Sequence, residues 1–433
     1  MEYSTYKKMF GLLGALPFVC VAQGQNNGVS AVLSASSLYN NNATRSPDSA
    51  TELEEQQNRY GLSLDVRNTT GISNFALDYD ITYDDFTRDS QSSDTSLSGQ
   101  TSIFLGTETS RFALNLQHSI RQLIETPDVE GTTDNLTDRQ DLLVAPELRL
   151  RPSNVDDVII TATYTELTYE AFDANNTSQL GVEFEWQHDI SATTNTGLVA
   201  TQNDTEFSES PELDYQYRSL GLAYESSQRL MKYRVVGGIN EIESRLDGET
   251  ESGNYYDLDL GYENGYTSVN VLFSQELSDT SYSNRLTDPT SNAIVGGNLT
   301  IQDRVNSKAF QINLGIESLA VCRQCSVELI ADKQEVRYLS LEDNDSDIIQ
   351  YMAQVSYRPS RASEINVSIQ DRAVDFPNVK ERAYSSLTGR ISYSRRINPD
   401  FTAYGFYDFY SQEQGTEEYD YNRIGLRFAY EVR

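Results

Sequence analysis

Phe75-Ala-Leu-Asp-Tyr-Asp-Ile-Thr-Tyr-Asp84 is the stretch on which the fold turns. Its odd positions, from Phe75 to Tyr83, are all apolar or aromatic. Its even positions are Ala76, Asp78, Asp80, Thr82 and Asp84. A period of two places the first set on one face of a strand and the second set on the other. One face therefore suits an apolar medium and the other suits water.

The same period recurs outward in both directions. Tyr60, Leu62, Leu64 and Val66 alternate with Gly61, Ser63, Asp65 and Arg67. Further copies run over Leu180 to Gln187, Tyr256 to Tyr262, Phe310 to Glu317 and Ile349 to Tyr357. The connectors between strands switch between short and long. Short ones fall at Asn68 to Ser73, Pro152 to Asp156, Ser191 to Thr194, Asn264-Gly265, Cys322 to Cys325, Ser360 to Ser363 and Asn398 to Asp400. Longer polar ones fall at Asp89 to Asp94, Glu125 to Asp138, Asp204 to Glu212, Asp247 to Gly253, Ser278 to Val305 and Leu341 to Asp347. Tight turns on one side and long loops on the other are the habit of outer-membrane barrels. The pattern predicts an all-β, transmembrane, antiparallel up-and-down β-barrel of about 20 strands, or about 18 if the stretch from Val29 to Tyr39 is not a strand. Both termini then lie on the periplasmic side.

Composition agrees with that reading and hides it from a hydropathy plot. Only 38% of the 433 residues are hydrophobic, and mean hydropathy is −0.53. No stretch of the mature chain reaches the ~20 apolar residues that a spanning helix needs. In lipid each unpaired backbone group costs several kcal/mol, so a spanning sheet must close. Tyr60, Tyr83, Tyr262, Tyr357 and Tyr393 stand at strand ends, where aromatic girdles meet the membrane interface. A soluble, secreted β-protein would also alternate, and it stands as the contrary reading.

Residues 1–22 read as a secretory signal peptide, leaving 23–433 as one barrel domain. Lys7 and Lys8 form the positive region, Met9 to Val21 the apolar region, and Cys20-Val21-Ala22 the small-residue cleavage site. Pro17-Phe18-Val19 lacks the small residue expected before a lipidated Cys20.

The net charge of −32 leaves no basic face for nucleic acid. It suits a surface among outer-membrane lipid, lipopolysaccharide and divalent cations. Neither His118 nor His188 shares the inner parity with a Ser or Asp, and no G-x-S-x-G, H-E-x-x-H or phosphate loop occurs, so no enzyme, cofactor or metal site is expected. Cys322-Arg-Gln-Cys325 falls at an expected turn, with no helix to activate a thiol and no second pair for zinc. A structural disulfide closing the hairpin is the leading reading, with free thiols and a functional pair beside it. The inner parity carries Asp65, Asp78, Asp80, Glu183, Glu185, Asp257 and Asp259 together with Arg67, Arg390 and Arg427. These are the candidate lumen charges, either selecting solutes in a water-filled pore or pairing across strands.

The final strand, Arg423 to Arg433, places Ile424, Leu426, Phe428, Tyr430 and Val432 on one face. It resembles the C-terminal signal by which barrel-assembly machinery recognises its substrates, although it ends on Val-Arg where Phe or Trp is usual. Ser37-Leu-Tyr-Asn-Asn-Asn-Ala-Thr-Arg45 and the closing hairpin from Gly389 through Tyr404 resemble the outer-membrane β-barrel porins associated with exopolysaccharide and PEP-CTERM loci. The turns Arg151-Pro-Ser153 and Arg358-Pro-Ser360 fit the same style. The resemblance implies an outer-membrane pore, with exopolysaccharide export as its sharper form and polysaccharide-export components as partners. It implies no catalytic residues. The other function class is a structural or adhesive surface barrel with acidic loops and a blocked lumen, the Ser278 to Val305 loop acting as the plug.

Overall fold

The computed structural model describes residues 28–43, 53–107, 109–124, 136–170, 176–279, 303–319, 322–415 and 417–432. The signal-peptide reading of 1–22 and most of the Glu125 to Asp138 and Ser278 to Val305 loops lie outside the described residues. The strands are, in chain order, β1 Gly28–Asn40, β2 Glu55–Thr69, β3 Ser73–Phe86, β4 Asp94–Leu105, β5 Phe112–Ile124, β6 Leu136–Leu150 and β7 Asp156–Tyr169. They continue as β8 Thr177–Ser191, β9 Thr194–Phe207, β10 Tyr215–Ser227, β11 Met231–Ser244, β12 Thr250–Glu263, β13 Thr267–Asp279 and β14 Arg304–Leu319. The last are β15 Cys322–Tyr338, β16 Ser346–Ser360, β17 Ser363–Asp375, β18 Tyr384–Asn398, β19 Phe401–Gln414 and β20 Glu417–Val432.

Each strand pairs antiparallel with its chain neighbours in one 20-stranded sheet. The sheet closes where β1 meets β20, with Leu33 opposite Tyr430, Ala35 opposite Phe428 and Tyr39 opposite Ile424. The fold is a closed antiparallel transmembrane barrel, and the stretch Val29 to Tyr39 lies within its first strand. Strands about 4.8 Å apart and tilted by about 40° give a backbone diameter of roughly 40 Å, too wide for side chains to fill.

Register fixes which side chains face out. The expected apolar parity is the outer one, and it leaves Leu62, Ile81, Leu180, Leu222, Ile312, Val367 and Leu426 exposed. Tyr60 and Tyr83 are direct partners toward the long-loop end. Tyr357 and Tyr393 both oppose Ile365 toward the short-turn end, where Tyr262 opposes Met231. The tyrosines therefore bracket the apolar band from both sides.

The strands outrun that band. They are 12 to 17 residues long, against about 10 per segment in the alternation. β9 continues to Phe207 and β12 begins at Thr250, where the sequence reading placed loop. Beyond the band the outer face turns ionic. Arg218 lies 3.7 Å from Glu241 and 3.5 Å from Glu243, and Lys333 lies 2.7 Å from Glu335. The ladder of hydrogen bonds needs no apolar partner in water, so the strands continue where the alternation stops.

Leu222→Arg on the outer face of β10 is expected to destabilise the barrel by about 2–4 kcal/mol, whereas Ser98→Arg on the inner face of β4 should change stability by less than about 1 kcal/mol. Denaturant titration in lipid vesicles measures both. Equal losses would mean that the two faces are wrongly assigned.

Candidate functional site

The inner wall is the surface on which chemistry is available. Strand register places all ten expected lumen charges on the inner face, each in a distinct setting. Asp65 stands opposite Asp78, and Arg67 reaches Asp65 at 3.1 Å. Asp80 accepts a hydrogen bond from the Ser63 hydroxyl. Arg234 lies opposite Asp259 and 3.5 Å from the carboxylate of Asp257. Glu183 and Glu185 sit on β8 among Thr161, Thr201 and Val199.

The tightest constellation lies on β18 to β20. Arg390 donates from Nε and Nη2 to the two oxygens of Asp408, at 2.6 and 2.9 Å. Arg423 approaches the same carboxylate at 3.4 Å from the other side. The Asp408 side chain is 5% exposed, so the acid is sunk beneath the two guanidinium groups it holds. Each arginine also lies by a ring: Arg390 is 5.7 Å from Phe406, Arg423 is 4.9 Å from Tyr421, and Arg427 is 5.8 Å from Tyr404. Among the described residues the Arg427 side chain makes no hydrogen bond or ion pair.

Sequence reasoning missed Asp408, Tyr404 and Phe406. A signal for them exists in Phe401-Thr-Ala-Tyr-Gly-Phe-Tyr-Asp-Phe-Tyr410, where aromatic residues occupy both parities. Tyr407 and Phe409 face out, whereas Tyr404, Phe406 and Tyr410 face in. A strand between lipid and plain water would carry aromatics on one parity alone.

The inner face of the wall carries an apolar cluster at the long-loop end. Phe207, Tyr215, Ile242 and Leu277 form a buried apolar cluster. Leu277 closes on the inner face because Gly253 has no side chain to hold it away, and the Asn240 side-chain oxygen accepts from the Leu277 N–H at 2.8 Å. The end of β13 thus leans over β12 toward the lumen.

Other sequence candidates fall outside the lumen. Tyr79 is hydrogen-bonded to His118 Nδ1 at 2.6 Å on the outer face. His188 Nδ1 lies 2.9 Å from Asp156, whose other oxygen accepts from Ser153 at 2.6 Å. Ser153 meets the acid and not the imidazole, so this trio lacks the nucleophile–base contact that acyl transfer requires. Cys322 and Cys325 are bonded to each other, with Cα atoms 5.3 Å apart. The bond corrects the expected placement. It lies within the first residues of β15, with Cys322 opposite Leu319 and Cys325 opposite Tyr357, and does not span a turn.

The barrel is similar to solved outer-membrane proteins. OpdK from Pseudomonas aeruginosa, crystallised with vanillate, aligns with a TM-score of 0.43 and 10% identity over 93% of this chain and 98% of its own. OccK5 (OpdH) from the same organism aligns at 0.41 and 9% identity over 94% and 98%. OccAB4 from Acinetobacter baumannii aligns at 0.40 and 9% over 94% and 99%. No protein-family model matches the chain, and no curated protein matches it.

Asp408→Ala is expected to lower stability by about 1–3 kcal/mol, since it leaves two arginines facing each other across a vacated site. Adding Arg390→Gln and Arg423→Gln should recover most of the loss. A denaturation midpoint in detergent reads both, and an unchanged midpoint for Asp408→Ala would remove the structural role given to the carboxylate.

Proposed function

We propose that this protein is an outer-membrane, porin-like channel for hydrophilic solutes. One observation carries the reading: a closed 20-stranded ring bears an apolar outer band and a charged inner wall. A ring of that size leaves an aqueous passage unless something fills it. The termini lie in the periplasm, lipid and lipopolysaccharide surround the barrel, and assembly machinery inserts it through β20. No catalytic step is assigned to it. The Cys322–Cys325 bond is a structural clamp on the start of β15, so Cys322→Ser with Cys325→Ser should leave conductance unchanged.

The sharper form is export of an exopolysaccharide, with polysaccharide-export components as partners. It draws support from the likeness of the Ser37–Arg45 and Gly389–Tyr404 stretches to barrels beside such loci. A deletion strain should then hold the polymer in its periplasm. Normal surface polymer in that strain would leave only the general channel.

A second reading is a surface barrel with a blocked lumen. The inward lean of β13 at Leu277 favours it. Purified protein in planar bilayers separates the two. The channel reading expects steady conductance from the intact chain. The blocked reading expects none until residues 280–302 are deleted. In the open channel, Glu183→Gln with Glu185→Gln should shift the reversal potential in a salt gradient toward anion selectivity. Arg390→Gln with Arg427→Gln should shift it the other way.

A further inference from the structure

We infer that the inner wall of β18–β20 is a binding strip for a sugar ring that carries a carboxylate. The inference rests on the channel reading and names a solute class for it.

The strip begins with Phe406. Its ring lies against Gly425 on the neighbouring strand, in the space that a side chain at that position would fill. Bare backbone thus gives the ring a flat seat on the wall, and the half-buried ring stands on the inner parity with the Arg390 guanidinium 5.7 Å from its centre. Tyr404 stands one inner position nearer the short turns, opposite Arg427. The π face of an aromatic ring is electron-rich, so it attracts the weakly positive C–H edge of a pyranose as it attracts a cation. Two such rings, about 7 Å apart along the strand, make a one-sided platform.

What surrounds the platform decides among possible guests. Ser392 is the cross-strand partner of Phe406, and Ser394 that of Tyr404. Ser36 is the partner of Arg427 on β1. A flat aromatic guest gains little from this margin of hydroxyls, whereas a polyhydroxylated ring can exchange hydrogen bonds with it. Arg427 is the charged element. It has no carboxylate partner among the described residues, and its guanidinium is suited to a bidentate grip on a carboxylate. Asp408 keeps Arg390 and Arg423 engaged and leaves Arg427 to the solute. Glu183 and Glu185 lie on β8, halfway round the ring from β18, and leave the strip's own charges to decide what binds there.

The test is current block by trigalacturonate, a short acidic saccharide, with maltotriose as its uncharged counterpart. Wild-type channels in planar bilayers should be interrupted by trigalacturonate at concentrations about tenfold lower than by maltotriose, the factor that one added charge-assisted contact confers. Arg427→Gln should raise the blocking concentration of trigalacturonate about tenfold and leave that of maltotriose unchanged. Phe406→Leu keeps an apolar filler over Gly425 but removes the ring, and it should weaken both saccharides. A heat-modifiable band on a gel verifies that each variant is a closed barrel. A conducting channel that trigalacturonate does not block, or one blocked equally in wild type and Arg427→Gln, overturns the strip and leaves the channel standing. A wild-type barrel without conductance overturns both.

Discussion

The pairing of β1 with β20 is the constraint on which the rest depends. Every other strand pair joins chain neighbours through a turn, so it could form in a sheet of any size. Only the contact between the two chain ends removes the last unpaired backbone groups from lipid, where each would cost several kcal/mol. Outer residues of this seam, Leu33, Ala35, Phe428 and Tyr430, continue the apolar band without a break. Once the ring closes, strand number fixes its width, and that width is more than the wall's own side chains can fill.

Water inside explains why the inner wall tolerates so many ions. Some of them have a partner on a neighbouring strand, as Arg234 has Asp257 and Arg390 has Asp408. Pairs of this kind contribute little to stability where solvent reaches them. Their effect is on the field across the lumen. The acids of β8 lie on the opposite side of the ring from the arginines of β18 and β20, while Asp65, Asp78 and Asp80 stand on β2 and β3 beside that wall. The rings beside the arginines add a stacking surface that charges alone would lack.

Much of this was legible in the sequence, because lipid imposes apolar residues on alternate positions. Phe75 to Tyr83 shows the outer face directly, and the alternation of short and long connectors gives the count of strands. The strand tips were not legible. Around Asp204 and Glu251 the outer positions are already polar, so nothing separates ladder from loop. The Cys322 pair was placed in a turn because the run of connectors called for a short one there, and polar Arg323 and Gln324 give no sign that β15 has already begun. The Arg390–Asp408 clamp depends on register. Its members are 18 residues apart and meet only because the turn after Asn398 aligns β18 with β19. The platform was missed because the candidate lumen set was confined to charged residues, whereas Tyr404 and Phe406 are aromatic residues on that same parity.

The ionic ends of the strands also act as a flange. If the barrel slid inward by one outer position, about 5 Å of depth, Arg218, Glu241 and Lys333 would enter hydrocarbon. If it slid outward, Tyr262, Tyr357 and Tyr393 would leave the headgroup layer for the acyl chains. The two penalties oppose each other, so the molecule has a defined height in the bilayer without any anchor beyond its own wall. In a thinner or thicker membrane the lipid must deform to meet that height, and the barrel then sets the local thickness around itself.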